Sequence, residues 1–169
     1  FKYRGKESNK AYFLSHNNKL EVVWTVIPTI ILTALIIFGL KTWDKAMNVE
    51  ISESTKVIEV YGKQFNWTAR YSGLDNKLGT ANYKLVKGKN TLGVDMLDVN
   101  SADDKMAREV HLVVDEPVLL KFRSQDVIHS AFLPHFRVQM NCVPGMNTDF
   151  VFKPTLTTEE MRVETGNED

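Results

Sequence analysis

Nineteen consecutive residues without a single charge, Val22–Leu40 (VVWTVIPTIILTALIIFGL), constrain this 169-residue chain more than any other feature of it. As a helix rising about 1.5 Å per residue they would span roughly 28 Å, close to the roughly 30 Å hydrocarbon thickness of a bilayer. The stretch predicts a transmembrane helix over residues 22–43. A cleaved signal peptide would have a shorter apolar core and a small-residue cleavage site, which these boundaries do not supply. Trp24 and Trp43 fall near the two ends, where indole rings favour the membrane interface. Pro28 sits early in the span, where a kink or a water-satisfied carbonyl is tolerable. The preceding flank holds Lys2, Arg4, Lys6, Lys10 and Lys19 against Glu7, whereas Lys41, Asp44 and Lys45 behind the helix nearly balance. The positive-inside bias therefore predicts a cytoplasmic loop over 1–21 and an external domain beyond a linker at 44–55.

Formal net charge is zero, so no global field argues for nucleic acid as a partner. The zero hides an asymmetry: Phe1–Trp43 carries six Lys/Arg and two Asp/Glu, and the remainder carries fifteen and nineteen. Cys142 is the one cysteine, which excludes an intrachain disulfide framework.

From about Lys56 the pattern changes to short runs rich in Val, Ile, Phe, Tyr and Thr, broken by Gly, Asn, Asp and Pro. Val57–Tyr61, Phe65–Tyr71, Glu109–Val114, Val118–Phe122, Phe136–Met140 and Thr148–Phe152 are the candidate strands. Such spacing predicts a small antiparallel sandwich or barrel over 56–169. Residues 72–106, rich in Lys, Asp and Asn, read as an extended surface excursion. Its acidic run of Asp95, Asp98, Asp103 and Asp104 lacks the spacing of a calcium loop with a closing bidentate carboxylate. It reads first as a solvated loop and second as part of an acidic docking face for a cationic partner.

The most specific segment is Ser124–Met146, SQDVIHSAFLPHFRVQMNCVPGM, with His129 at the head of a strand-turn-strand unit, Asp126 before it, Pro134 after it and Val143–Met146 closing the loop. A lone histidine beside apolar residues is by itself most often a hydrogen-bonded core residue; neutral imidazole is also a good copper ligand. Asp126-Val-Ile-His129-Ser130, the apolar residue and proline, Phe136-Arg-Val138 and Val143-Pro-Gly-Met146 together resemble subunit II of the haem-copper cytochrome c oxidases. The resemblance implies a mainly β, cupredoxin-like Greek-key domain behind a transmembrane helix, anchored in a bacterial inner membrane with its C-terminal domain periplasmic. It implies that His129 is one ligand of the dinuclear copper centre CuA. The chain would then take electrons from a c-type cytochrome and pass them to haem in subunit I, where oxygen is reduced to water. Its partners would be subunit I, the other oxidase subunits and membrane lipid. The alternatives are a copper-free quinol oxidase subunit II, which generally lacks this histidine, and a non-redox membrane-anchored β-sandwich.

Two further stretches carry the likeness. Glu21, three residues before Trp24, matches a family glutamate at the cytoplasmic mouth of a proton pathway. The spacing from Asn18 to Glu21 is also that of a capping box. Gly62-Lys-Gln-Phe65-Asn-Trp67 resembles the family's Gly-x-Gln-Trp-x-Trp, whose first tryptophan is where electrons come in from the donor. Phenylalanine at that position has a smaller π-system and no N–H, so the usual route is altered here. Asp126, Phe65 and Trp67 form the implied donor-docking set. Cys142, although within the motif, matches no copper ligand of the family and reads as a small buried hydrophobe. His135 reads as a loop histidine, and His16 and His111 carry no constellation. The family completes its copper centre with a loop Cys-x-Glu-x-Cys-x-x-x-His-x-x-Met, which none of these residues supplies. By the resemblance, that loop is expected after Asp169 and a first transmembrane helix before Phe1.

Overall fold

The computed structural model describes residues 5, 10, 13–48 and 50–166. The chain divides into two compact units, Phe1–Asn48 and Val49–Asp169.

Among its described residues the first unit has one helix, α1, Asn18–Met47, 30 residues long. At about 1.5 Å per residue it extends roughly 45 Å, long and apolar enough to cross a bilayer and to stand out of it at both ends. It begins a full turn before the uncharged stretch because a cap is available there. Asn17 is extended, and its side chain accepts the Leu20 N–H at 3.1 Å. That shifts the expected cap by one residue: Glu21 lies beyond the N3 position and its carboxylate is not part of a capping box. Pro28 sits inside the helix, flanked by Thr25, Thr29 and Thr33. The Thr29 and Thr33 hydroxyls donate back to the carbonyls four residues earlier at 2.6 and 2.8 Å, which keeps polar atoms satisfied within the helix. The charges at Lys2, Arg4, Lys6 and Glu7, on which the orientation argument leaned, lie outside the described residues.

The second unit is mainly β, as the runs predict. Among the described residues its seven strands are β1 (Lys56–Lys63), β2 (Asn66–Tyr71), β3 (Lys105–Ala107), β4 (Val118–Ser124), β5 (His129–Leu133), β6 (Val138–Cys142) and β7 (Thr148–Phe152). Five form one sheet in the order β3-β2-β1-β4-β7, and β5-β6 form a separate hairpin. One face of the large sheet contributes Ile58, Val60, Ala69, Val118, Leu120 and Phe122 to a core closed by Ala131 and Cys142 of the hairpin. Leu120 and Phe122 are each 1% exposed, worth about 1.5–3 kcal/mol apiece in burial.

Three sequence expectations change. The sheet is mixed, because β1 and β4 pair in parallel, Lys56 opposite Val118 through Gly62 opposite Ser124. A parallel neighbour needs a long crossover, and residues 72–117 provide it. Parts of that crossover pack onto the sheet, although residues 82–89 are all exposed. Leu92 and Val94 are buried against Tyr61, and Asp104 is 3% exposed on its side chain. The excursion thus covers the second face of β1, whose residues Ile58–Gly62 are all buried. Finally, the run Glu109–Val114 forms no strand. The Tyr71 hydroxyl donates to the Glu109 carbonyl at 3.0 Å and accepts the His111 N–H at 2.7 Å, holding the segment without a ladder, while the short β3 takes the edge beside β2.

A helix that the strand pattern did not reveal closes the described chain: α2, Thr158–Thr165. Its signal is in the sequence. Thr157 and Glu160 form a reciprocal capping box, with the Glu160 N–H donated to the Thr157 hydroxyl at 3.2 Å and the Thr157 N–H to the Glu160 carboxylate at 2.8 Å.

Candidate functional site

His129 opens β5 directly opposite Cys142 of β6, so its side chain shares the hairpin's inner face with Ala131 and Leu133. That places the imidazole at the end of the core, 16% exposed, and not on an outer surface. The connection from β4 to β5 is only four residues long, and it is held internally. Ser124 Oγ donates to the Val127 carbonyl and accepts the Asp126 N–H. The Gln125 N–H continues the β1–β4 ladder by donating to the Gly62 carbonyl at 3.0 Å.

Asp126 is the hub of this end. Its Oδ1 lies 2.6 Å from His129 Nε2 and accepts the Val127 N–H at 2.7 Å, while Oδ2 accepts the Gln64 N–H at 2.7 Å. These contacts, the histidine first and the backbone donors next, hold its carboxyl down to about 2. An ionised carboxylate accepts only, so the proton between the two residues belongs to Nε2. In the neutral ring Nδ1 then keeps its lone pair and faces away from Asp126. A carboxylate that fixes tautomer and orientation in this way is the usual support of a metal-binding imidazole.

Because the folded pKa of Asp126 is depressed, its contribution to stability is present above about pH 4, the ordinary carboxylate value, and is lost as pH falls through about 2. Asp126→Asn should therefore melt below the wild type at pH 6, and the gap should close by pH 2. Thermal unfolding across that range checks this.

The same carboxylate ties in the aromatic turn. Gln64 and Phe65 form the two-residue connection of the β1–β2 hairpin, in which Lys63 pairs with Asn66. Phe65 is fully exposed and has φ 63°, a left-handed conformation that is a true outlier for a bulky side chain. Its ring gains no burial from this strain. Trp67, directly across the ladder from Gly62, is 40% exposed and meets the His129 ring edge-on, with centroids 5.9 Å apart at 68°.

The structure thus brings His129, Asp126 and Trp67 together, with Phe65 on the turn that Asp126 holds. Glu21 belongs to the other unit, in the first turn of α1, exposed. His135 is exposed in a single 3-10 turn, Pro134–Phe136, and His111 is exposed as well. Cys142 is fully buried, and burial pushes its thiol up from the ordinary value. Sequence reading missed Gly62 as a member of the site. The glycine stands inside the quoted aromatic motif, but its purpose appears only when the hairpin is laid over the sheet.

As a test of fit for copper, the donor set is partial. Among the described residues no group of three or more His, Cys, Asp or Glu side chains could hold a metal ion. His129 qualifies as a single ligand, with Nδ1 as its donor atom. A dinuclear thiolate-bridged centre does not fit these residues alone.

Comparison with known proteins agrees in kind along nearly the whole chain. Residues 1–42 match the family described as cytochrome c oxidase subunit II, transmembrane domain, and residues 56–158 match cytochrome c oxidase subunit II, periplasmic domain. The alternative cytochrome c oxidase subunit 2 of Bradyrhizobium diazoefficiens is 33% identical over 93% of this chain and 57% of its own length. The cytochrome c oxidase subunit 2 of Cereibacter sphaeroides is 26% identical over 90% of this chain and 53% of its own length. Among solved structures, the periplasmic domain of subunit II of cytochrome oxidase of Bradyrhizobium japonicum is 25% identical, with a TM-score of 0.41, covering 64% of this chain and 70% of that one. The chain spans about half the length of the curated relatives it matches.

Proposed function

The chain belongs to the cytochrome c oxidase subunit II family, and from that premise we propose that it is the electron-input subunit of a bacterial haem-copper oxidase. It is membrane-anchored by α1, with the β unit on the periplasmic side. In this reading a c-type cytochrome docks over Phe65 and Trp67, and His129 Nδ1 is one ligand of CuA. When bound, that centre would supply rapid one-electron relay towards haem in subunit I. The residues of this chain present the ligand and the contact surface. Asp126 supports both, because one carboxylate fixes the imidazole and the aromatic turn. Glu21 stands on the cytoplasmic side as the proton-uptake residue, and its exposed place in the first turn of α1 is compatible with that.

The observation that carries the proposal is the His129–Asp126 pair, which leaves one imidazole nitrogen facing away from the carboxylate on a ring that Trp67 meets edge-on. The test is made on the assembled oxidase. His129→Ala should remove copper and fast reduction by ferrocytochrome c together, and Asp126→Ala should weaken copper retention about 10–100-fold. Phe65→Ala should keep copper and raise the cytochrome KM, on the order of tenfold for a contact aromatic. Glu21→Ala should keep copper and reduction but slow steady-state turnover. Copper content and reduction rate unchanged in His129→Ala would remove the basis of the proposal.

A further inference from the structure

We propose that Gly62 is a positioning residue for His129: its bare backbone is the floor on which the imidazole lies, and this fixes the direction in which Nδ1 points. The use made of that direction rests on the reading of His129 as a copper ligand; the contact itself does not. A Cβ placed on Gly62 would fall 3.0 Å from both Cδ2 and Cγ of His129 and 3.1 Å from its Cβ. Such approaches are tighter than nine in ten real Cβ contacts, so the imidazole would have to give by a few tenths of an ångström. Two of these atoms belong to the rigid ring and the third is tied to the β5 backbone, so no flexible end can swing aside.

Backbone conformation does not require a glycine there. Its φ is not in the left-handed region, unlike those of Gly73, Gly88, Gly93, Gly145 and Gly166. It is an ordinary ladder residue of β1, opposite Trp67 on one side and Ser124 on the other. Glycine in a strand interior is destabilising by about 0.5–1 kcal/mol relative to alanine, and it commonly marks a close approach of another group. The approaching group here is the imidazole. Gly62 lies beneath it, Trp67 stands against it edge-on at 5.9 Å, and Asp126 anchors Nε2 at 2.6 Å. With floor, wall and anchor in place, the ring has one orientation. A ligand must be held within about 0.5 Å and 10–20° to be productive, and the few tenths of an ångström that a methyl group would force consume that margin.

The experiment uses NMR on the whole chain in detergent micelles. In the wild type, a Gly62 Hα should show a nuclear Overhauser effect to His129 Hδ2. The imidazole 15N shifts at about pH 8 should report one tautomer, protonated at Nε2. In Gly62→Ala the backbone amide dispersion should be retained, while the imidazole shifts move towards the average of the two tautomers. In the assembled oxidase the same variant should keep its copper but alter the copper hyperfine pattern. Wild-type 15N shifts in Gly62→Ala would overturn the proposal. If that variant does not fold, absence of the Gly62–His129 effect in the wild type overturns it equally. Failure of the copper reading would show separately, as copper retained in His129→Ala, and would leave this contact standing.

Discussion

Arg70→Ala should cost the β unit about 3–5 kcal/mol, a large part of the roughly 5–15 kcal/mol by which a domain is stable. Arg70 is 2% exposed on the face of the sheet opposite the hydrophobic core. Its Nη2 lies 2.6 Å from Glu59 Oε2 and donates to the Gly79 carbonyl at 2.9 Å, and its Nη1 lies 3.5 Å from Asp104 Oδ2. Arg123 takes the other Glu59 oxygen at 3.1 Å and reaches the Tyr61 hydroxyl with Nη1, also at 3.1 Å. Glu59 and Asp104 are both almost fully buried, so removing the arginine leaves two carboxylates without their shared cation. Burial already pushes the Asp104 carboxyl up. The bond to Gly79 also clips the crossover onto the sheet. A Cβ on Gly79 would strike Ser101 Oγ, so two segments of the crossover itself touch at backbone distance behind that clip. Arg70→Lys should rescue little, because one ammonium cannot serve two carboxylates and a carbonyl from the arginine's fork of donors. Chemical unfolding of the whole chain in detergent, followed by near-UV signal, checks this; a loss under about 1 kcal/mol would mean that the network is solvated.

That network shows where sequence reading stops. The strands β1, β2, β4, β6 and β7 were legible, because β-branched and aromatic runs punctuated by turn residues carry their own period. Partnership was not. Nothing local in Glu59, Arg70 or Asp104 says that three charges separated by up to 45 positions meet under one loop, so the crossover read as solvated. The parallel β1–β4 pairing is likewise a property of the crossover length, whereas periodicity reports only which residues alternate. Boundaries slipped where backbone conformation overrode composition. Phe65 reads as strand by type yet sits in a left-handed turn, and Arg137, with φ 54°, delays the start of β6 past Phe136. The Asn17 cap displaced the Asn18 reading by one residue because Asn17 and Asn18 are adjacent and only geometry separates them.

At the site, the motif made His129 and Asp126 visible as neighbours, three residues apart, but gave Asp126 a docking role. The geometry adds a local one beside it, since the carboxylate is engaged by His129, Gln64 and Val127 while part of it stays exposed. In the sequence Gly62 is only one letter of the aromatic motif. A glycine carries no side-chain signal, and the reason for one lies in whatever approaches it.

Copper added to the 169-residue chain should produce no mixed-valence absorption and no stoichiometric dinuclear site. Two coppers sharing an electron need two bridging thiolates, and the sequence contains one cysteine. That cysteine is poorly placed even for a mononuclear site. Cys142 faces His129 across the β5–β6 ladder, which puts sulfur and imidazole on the same inner face, yet it is 0% exposed and its thiol is pushed up by burial. Forming the thiolate there would require the hairpin to lift from the sheet and expose Ala131, Phe122 and their neighbours. What remains is one imidazole with Nδ1 available, a weak ligand by itself, which His129→Ala should remove. Optical titration and equilibrium dialysis, with His129→Ala and Cys142→Ala alongside the wild type, decide the matter. Weak binding of at most one copper, lost with His129 and indifferent to Cys142→Ala, is the expected result. Two tightly bound coppers lost in Cys142→Ala would instead make the buried cysteine a ligand, and the assignment of His129 by its motif would fall.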